Sequence, residues 1–586
     1  MSNTTATARP PALAAYDFHA GTDTRAYETF GAHRQEDGTY LFRLYAPRAR
    51  AVSLLGDFLP DGSMPMQAMG QGVWACVAVA EVPPEGMAYA FLLDGRRRIA
   101  DPFGRQGLWG EAFGSLVTLP TCHRWQDGMW CRHRAALLRH ADTEGHGVPL
   151  NAYEVHLGSF ATRGGRSNVG GDAYLNYREL GEMLARYLRE LNYTHVHLLP
   201  LTEHRRDTSH GYAPLGLFAP TGRHGTPDDL RAMVDCLHRA GIGVLMDLPL
   251  SSLGEEALPP DPRRPEVRSY LLSAVFYWLR EFHLDGLCLR GLSRLFGAGA
   301  QTAASAEPLL RLLCAAVHAE LPEALLMAGE EVGEMTRGGM GFDLLCHRAF
   351  AGDLLTYLGA APDRRQYLGD RLRLLCRRAA EERYLLPLSH EAVSAARASL
   401  FGQMWGSYGE RFAALRLLLA FQMALPGKKQ LFMGSELGQV RPWDDTVPPD
   451  FYLRELAPHA ALMRYVRALN GFYRDEPRLW QWDSLPTAPR ARAESGAGDC
   501  LFALARYDGM GRELLALFNF SAERLDCRCE TAAGTDAYRE VFHTDRVGFG
   551  GEGRLSAGAL FPVQAGEVRL TLPPMTAVFC EPVPAG

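Results

Sequence analysis

Apolar residues follow two different periods along the chain, and the change of period divides it into regions. Between residues 149 and 475, short apolar runs alternate with longer segments whose apolar residues recur every three or four positions. Residues 178–192 show the second pattern most clearly, with apolar side chains at i, i+3, i+4, i+7, i+8 and i+11, which indicates an amphipathic helix. Strand-like runs that alternate with such helices predict a parallel sheet covered by helices.

The apolar runs of this region are numerous enough to close a barrel. We predict eight strands, at residues 152–157, 196–201, 243–250, 286–292, 324–330, 342–346, 384–390 and 430–436. Eight strands with helices between them predict a (β/α)8 barrel, or TIM barrel, whose functional residues lie at the C-terminal ends of the strands.

On both sides of the barrel, apolar residues recur at every second position. Short alternating runs broken by Gly and Pro fill residues 30–119 and return after residue 475, a pattern typical of β-sandwiches. The first 25 residues are rich in Thr, Ala and Pro and are predicted to be disordered. The predicted multidomain α/β plan is a disordered tail (1–25), an immunoglobulin-like β-sandwich (26–120), a linker (121–148), the barrel (149–475) and an all-β C-terminal sandwich (476–586).

Composition and charge exclude several classes of protein. The chain has 586 residues, 47% of them hydrophobic and 22% charged, which is ordinary for a soluble protein of several domains. A net charge of -6 argues against binding to nucleic acid or to a membrane surface. The N-terminal residues do not resemble a secretion signal, and the sequence has no apolar run of about 18 residues, so we expect a cytoplasmic protein. Its 12 cysteines form no C-x-x-C pair, so we expect reduced thiols, with neither a metal site nor a cofactor.

The sequence of the predicted fourth strand resembles that of a known family. Asp285, Gly286 and Leu287, followed by Cys288 and Arg290, are similar to the pattern Asp-Gly-Leu-Arg-Val-Asp of glycoside hydrolase family 13, which contains the α-amylases and glycogen branching enzymes. The second Asp of that pattern is the covalent nucleophile of the family. The resemblance therefore implies that Arg290 stands at the nucleophile position and Cys288 at the position of an Arg.

Other segments of the barrel resemble the same family. The resemblance implies that Glu330 occupies the position of the general acid, with Glu331 as the neighbouring alternative. Glu391 stands where the family has an Asp that stabilises the transition state. The sugar-contacting positions of the family correspond to Tyr212, Asp247, His390 and Ser252, of which Ser252 replaces a His.

The regions outside the barrel extend the resemblance to nearly the whole chain. Segments such as Gly56-Asp-Phe58 and Asp101-Pro-Phe103 resemble the N-terminal carbohydrate-binding module, family 48, of branching enzymes. The alternating runs after residue 475 resemble their C-terminal β-sandwich.

An arginine cannot take over the work of a carboxylate nucleophile. A retaining glycosidase needs a carboxylate to attack the sugar, whereas a guanidinium is always protonated and has no free lone pair. Loss of a nucleophile usually lowers the rate by about 10^4- to 10^6-fold. We expect Arg290 instead to form an ion pair with Glu330, Asp247 or Glu391 across the mouth of the barrel.

Three functions remain open at this point, because a barrel fold alone implies no activity. The first is a pseudoenzyme of glycogen metabolism that binds α-glucan (glycogen or maltooligosaccharide), or a partner such as an active paralogue, without cleaving sugar. The second is an active branching enzyme that uses a carboxylate elsewhere, for example Glu331 or Asp285. The third is a structural subunit that supports an active glucan enzyme and binds no sugar.

Overall fold

The computed structural model describes residues 11–584 with the exception of 80–83, 111–113, 145–146, 170, 172, 252–257, 259–260, 297–300, 337, 380, 395–396, 484–493, 496–499 and 532–533. This part of the chain contains an N-terminal β-sandwich, a closed parallel barrel and a C-terminal all-β domain, so the predicted fold class is confirmed. None of the described helices is both long enough and apolar enough to cross a membrane.

The chain is ordered well before residue 25, so the predicted disorder is wrong for residues 11–25. Helix α1 (Pro11–Ala20) carries Phe18, which is fully buried. The Phe18 ring lies 4.4 Å from the ring of Phe30 and 5.2 Å from that of Tyr45. Its backbone oxygen also accepts a hydrogen bond of 2.9 Å from the Ser269 hydroxyl. Average composition misses this segment because one buried aromatic side chain anchors it.

The N-terminal domain consists of two antiparallel sheets. Its strands are β1 (Gly31–Arg34), β2 (Tyr40–Tyr45), β3 (Val52–Gly56), β4 (Ser63–Pro65), β5 (Gln67–Gly70), β6 (Val73–Ala78), β7 (Ala88–Leu93), β8 (Arg97–Ile99), β9 (Gly107–Leu108) and β10 (Gly114–Leu116). One sheet has the order β1-β2-β6-β5, and the other has the order β4-β3-β7-β10-β9 with β8 paired to β7. Phe42, Leu54 and Phe91 are fully buried in one cluster, which is the core of a β-sandwich.

The barrel contains all eight predicted strands. They are β11 (Asn151–Val155), β12 (His195–Leu198), β13 (Gly243–Pro249), β14 (Gly286–Arg290), β15 (Leu325–Ala328), β16 (Leu344–Cys346), β17 (Tyr384–Leu388) and β18 (Lys428–Phe432). Each strand pairs in parallel with the next, and β18 pairs with β11 to close the barrel.

Helices precede the barrel, connect its strands and follow its last strand. They are α2 (Gly128–Glu144), α3 (Leu157–Phe160), α4 (Tyr177–Glu190), α5 (Pro227–Arg239), α6 (Pro265–Glu281), α7 (Leu292–Phe296), α8 (Gln301–Glu320), α9 (Arg348–Gly359), α10 (Pro362–Arg365), α11 (Gly369–Arg378), α12 (His390–Val393), α13 (Leu400–Gln403), α14 (Tyr408–Ala424) and α15 (Ala457–Asp475). Helix α4 begins at a capping box of Asn176 and Glu179, and α5 at one of Thr226 and Asp229. These side chains satisfy backbone N–H groups that the first helical turn leaves unpaired.

The C-terminal domain is a single eight-stranded sheet. Its strands are β19 (Glu494–Ser495), β20 (Leu501–Tyr507), β21 (Glu513–Asn519), β22 (Leu525–Glu530), β23 (Thr535–His543), β24 (Leu560–Gln564), β25 (Glu567–Leu572) and β26 (Thr576–Pro584). Their order in the sheet is β19-β20-β21-β26-β23-β24-β25-β22.

A buried carboxylate ties the region predicted as a linker to the base of the barrel. Asp285 immediately precedes β14 and accepts a hydrogen bond of 2.9 Å from Trp130 Nε1 of α2, while Arg134 of the same helix forms an ion pair with it. On its other side, Asp285 Oδ2 lies 3.0 Å from Nε2 of His238, whose Nδ1 is 3.2 Å from Asp127. Burial lowers the pKa of His238, but the two carboxylates outweigh that effect and raise it to about 9.

This network predicts that stability falls as the pH rises above neutrality. The folded pKa of His238 is about 9, above the unfolded value of about 6.5, so its contribution is complete below pH 6.5 and is lost as the pH rises through 9. We expect a loss of about 3 kcal/mol across this window, measured as the free energy of urea unfolding. His238→Gln should be less stable at pH 6 and should lack this part of the pH dependence. If the free energy of unfolding changed with pH in the same way for the variant and the unmodified chain, the raised pKa of His238 would be contradicted.

Candidate active site

The C-terminal ends of β13 and β14 bring an acid and an arginine together. These strands pair with Asp247 opposite Cys288 and Pro249 opposite Arg290. Side chains alternate between the two faces of a strand, so Cys288 and Arg290 share one face. Cys288 is fully buried inside the barrel, and Arg290 lies one layer further toward the mouth.

Arg290 bridges two acids across the barrel mouth, as the sequence predicts. Its Nε lies 3.4 Å from Asp247 Oδ2, and its Nη2 donates a hydrogen bond of 2.7 Å to Glu391 Oε1. The guanidinium carbon is 5.9 Å from the centre of the Tyr212 ring. Gly329 leaves room for this side chain, because a Cβ there would lie 2.5 Å from Cδ of Arg290. Burial disfavours the charged guanidinium, but the Asp247 carboxylate raises the pKa of Arg290 well above its ordinary value.

The carboxylate of Asp247 is stabilised by three side chains of the site. Its Oδ1 lies 2.9 Å from Nε2 of His197, and its Oδ2 accepts a hydrogen bond from the Tyr212 hydroxyl in addition to the contact with Arg290. Burial raises the pKa of a carboxyl group, yet Arg290 and His197 hold the pKa of Asp247 below its ordinary value. Asp247 is therefore ionised at neutral pH although it is only 3% exposed.

Glu330 follows β15 and is engaged by the chain that leaves β14. It accepts hydrogen bonds from the Gly291 N–H at 3.1 Å and from the Ser293 N–H and hydroxyl, both at 3.0 Å. Burial would raise the pKa of Glu330, but these donors lower it below the ordinary value. A general acid needs a raised pKa in order to hold its proton at neutral pH. Glu330 is therefore a carboxylate that caps the start of α7, whereas the ion pairs of Arg290 are with Asp247 and Glu391. The neighbouring Glu331 is exposed.

His390 completes the cluster with a residue that the sequence analysis did not select. Its backbone N–H and its Nδ1 both contact the carboxylate of Glu154, at 2.9 and 2.8 Å. Burial lowers the pKa of His390, but Glu154 raises it above the ordinary value. The His390 ring is also stacked on Tyr212, with 5.8 Å between ring centres. Glu154 and His197 lie on β11 and β12, and inward-facing polar residues on these strands were the signal that could have identified them.

The space left at the centre of this cluster is small. A cavity of about 100 Å³ is lined by Glu154, His197, Asp247, Arg290, Cys346 and Glu391, among others. The sugar-contacting position assigned to Ser252 lies outside the described residues.

A second cavity opens on the same face of the barrel, beside the first. It has a volume of about 210 Å³ and is bordered by residues that follow β11, β12 and β18. Polar side chains line much of it, including His156, His204, His210, Arg223 and Asp445. His210 Nε2 lies within hydrogen-bond distance of Asp445 Oδ2, at 2.7 Å.

Comparison with known proteins identifies the family to which this chain is related. Residues 29–104 match carbohydrate-binding module 48 (isoamylase N-terminal domain), and residues 494–583 match the alpha amylase C-terminal all-beta domain. The 1,4-alpha-glucan branching enzyme GlgB 2 of Streptomyces coelicolor is 33% identical over 98% of this chain and 83% of its own length. The branching enzyme GlgB of Rubrobacter xylanophilus is 34% identical over 98% of this chain and 87% of its own length.

The chain belongs to the glycogen branching enzyme family, within glycoside hydrolase family 13.

Solved structures of lower sequence identity share its fold. A putative alpha amylase from Salmonella typhimurium has a TM-score of 0.66 and 20% identity, with 94% of this chain and 99% of that chain covered. A pullulanase from Paenibacillus barengoltzii has a TM-score of 0.68 and 16% identity, with 95% of each chain covered. This member of the branching enzyme family thus keeps the domain architecture, with an ion-paired arginine at the mouth of its barrel.

The two acids that hold Arg290 predict very different mutational effects. Asp247→Asn should destabilise the protein by about 3–5 kcal/mol, because it leaves the half-buried Arg290 without its main compensating charge. Glu391→Gln should cost less than about 1 kcal/mol, because the Glu391 side chain is 49% exposed and water screens its ion pair. Urea unfolding at pH 7 measures both values. Equal losses for the two variants would show that Asp247 is not the principal partner of Arg290.

Proposed function

We propose that this member of the branching enzyme family binds α-glucan without cleaving it. The observation that carries the proposal is the ion pair of Arg290 with Asp247 and Glu391, at the position that the resemblance assigns to the nucleophile. A retaining glycosidase attacks the sugar with a carboxylate oxygen at that position. The guanidinium has no free lone pair with which to attack.

Arg290 cannot attack the sugar, and its positive charge also opposes the cleavage reaction. The transition state of glycoside cleavage resembles an oxocarbenium ion and is positively charged, so a nearby fixed cation raises its energy. Loss of the nucleophile alone lowers a rate by about 10^4- to 10^6-fold. Asp247 and Glu391 also keep the side chain in place, because moving it away would leave the buried Asp247 with a smaller compensating charge.

The state of Glu330 supports the same conclusion. Protonation of the leaving oxygen requires a carboxylic acid. Glu330 instead accepts three hydrogen bonds from Gly291 and Ser293, which favour its ionised form. Cleavage needs a protonated carboxyl group at the general-acid position and a carboxylate at the nucleophile position. Glu330 is held in its ionised form and Arg290 is a cation, so neither residue meets its requirement.

Binding to glucan is supported by features that do not depend on catalysis. Residues 29–104 match a carbohydrate-binding module, and relatives that align over nearly the whole chain are named as 1,4-alpha-glucan branching enzymes. The cavity of about 210 Å³ beside the barrel mouth offers imidazole, guanidinium and carboxylate groups of the kind that can hydrogen-bond to sugar hydroxyls. Tyr212 adds an aromatic ring, stacked on His390, to the adjacent cluster.

An active site built from other carboxylates receives little support. Asp285 lies at the opposite end of β14 and is held by Trp130, Arg134 and His238 at the base of the barrel. Glu331 is exposed to solvent. A structural subunit that binds no sugar remains the main alternative, and glucan binding distinguishes it from our proposal.

Purified protein should therefore leave amylose unbranched. We expect no change in the iodine complex and no new α-1,6 linkages, because the nucleophile position holds a cation. The branching enzyme of Streptomyces coelicolor, assayed in parallel, is the positive control. The revertant Arg290→Asp, Cys288→Arg, Glu391→Asp tests whether the rest of the barrel can still support the reaction. Branching by the unmodified chain, abolished by Glu330→Gln, would contradict the proposal.

Glucan binding should be visible as slower migration in a native gel that contains glycogen. His210→Ala should weaken this retardation severalfold, because it removes a polar group from the wall of the larger cavity. His133→Ala changes an exposed histidine on α2, the helix that packs against Asp285 at the base of the barrel, and serves as the matched control. If glycogen leaves the migration of the unmodified chain unchanged, the structural-subunit alternative is correct.

A further inference from the structure

Four side chains of the kinds that bind metal ions meet inside the barrel, beneath Arg290. They are His197 of β12, Asp247 of β13, Cys288 of β14 and Cys346 of β16. A ring nitrogen of His197, a carboxylate oxygen of Asp247 and the sulfur of Cys288 lie within 4.8 Å of one another. Cys346 lies outside that group of three, but its sulfur is 3.7 Å from that of Cys288, so it is the fourth candidate ligand. All four residues are buried.

We propose that these four residues form a zinc site. Zinc in proteins prefers four ligands in a tetrahedral arrangement, drawn from thiolate sulfur, imidazole nitrogen and carboxylate oxygen. Two sulfur ligands at about 2.3 Å from such an ion are about 3.8 Å apart, close to the 3.7 Å between Cys288 and Cys346. The nitrogen and oxygen ligands would be about 3.4 Å apart, so His197 and Asp247, now at 2.9 Å, need to separate only slightly.

The surroundings orient two of these ligands for the metal. Nδ1 of His197 lies 3.2 Å from Oε1 of Gln430 and donates a hydrogen bond to it. Nε2, which now contacts Asp247, is then the nitrogen that can bind an ion once it has lost its proton. Oδ2 of Asp247 is held by Tyr212 and Arg290, which leaves Oδ1 directed at His197. Metal-binding histidines and carboxylates are commonly fixed by hydrogen bonds of this kind.

Arg290 supplies the charge that such a site requires. A zinc ion with two thiolates and one carboxylate carries a net charge of -1, which is costly to bury without a cation nearby. Arg290 contacts the same Asp247 through Oδ2 and brings the total to zero. The residue that opposes glycoside cleavage would thus favour a thiolate metal site.

The small cavity gives an ion a way to reach the ligands. His197, Asp247 and Cys346 all line the cavity of about 100 Å³ at the barrel mouth, together with Arg290. Binding would join four strands of the barrel and would hold Asp247 in its present position. This inference does not rest on the proposed glucan binding, and either can fail without the other.

Cobalt substitution tests the site directly in the full chain. The protein, free of any affinity tag, is reduced, stripped with a chelator and titrated with Co²⁺. We expect about one ion per chain, with intense thiolate-to-cobalt charge-transfer absorption and the d–d bands of a tetrahedral site. Displacement by Zn²⁺ should abolish both signals. Cys288→Ser and Cys346→Ser should each reduce the charge-transfer intensity about twofold.

Two other cysteine variants serve as controls. Cys376→Ser removes a buried thiol of α11 outside the cluster and should leave the spectrum unchanged. Cys131→Ser tests the other group of possible ligands found among the described residues, Asp127, Cys131 and His283.

Three results would overturn the inference. One is the absence of thiolate charge-transfer absorption from the reduced, unmodified chain, a result that does not depend on whether any variant folds. Another is an unchanged spectrum in a folded Cys288→Ser, Cys346→Ser double variant. The third is loss of the signal in Cys131→Ser, which would place the ion at the base of the barrel.

Discussion

The contact between Arg290 and Asp247 determines the character of the barrel mouth. Both side chains come from the ends of paired strands, where water has little access, so each needs the other's charge. Tyr212, His197 and Glu391 are arranged around the same pair. A buried ion pair is weak evidence for stability, but removing one partner is costly because it leaves the other charge unpaired.

The base and the mouth of the barrel match the family pattern of the sequence resemblance to different extents. At the base, Asp285 keeps the residue that the family pattern has, and it joins α2 and α5 to the start of β14. At the mouth, Cys288, Arg290 and Glu391 all differ from that pattern. In TIM barrels the base mainly serves stability and the C-terminal face mainly serves function. A scaffold of this kind can remain intact when residues at its mouth change, and this chain combines a complete set of eight strands with an ion-paired arginine at the mouth.

Features that depend on local sequence could be predicted, and features that depend on distant contacts could not. The strands followed from apolar runs and turn signals, and Thr226 with Asp229 marked the start of α5. The pairing of Arg290 with acids could be expected because the family pattern placed them all at strand ends. The order of residues 11–25 depends on Phe18 packing against Tyr45, which no local pattern reveals. The grouping of His197 and Cys346 with Cys288 was missed because each comes from a different strand, with no characteristic spacing.

The most direct test asks whether any side chain at the mouth can attack a sugar. An α-maltosyl fluoride is suitable, because fluoride leaves without protonation and the reaction does not depend on Glu330. A fluorine at C2 slows release of the sugar from the enzyme, so that a covalent product accumulates for detection by mass spectrometry of the intact chain. Because Arg290 stands at the position that the resemblance assigns to the nucleophile, we expect an unchanged mass after prolonged incubation. A mass increase of one maltosyl unit that survives denaturation and maps to the barrel mouth would contradict it.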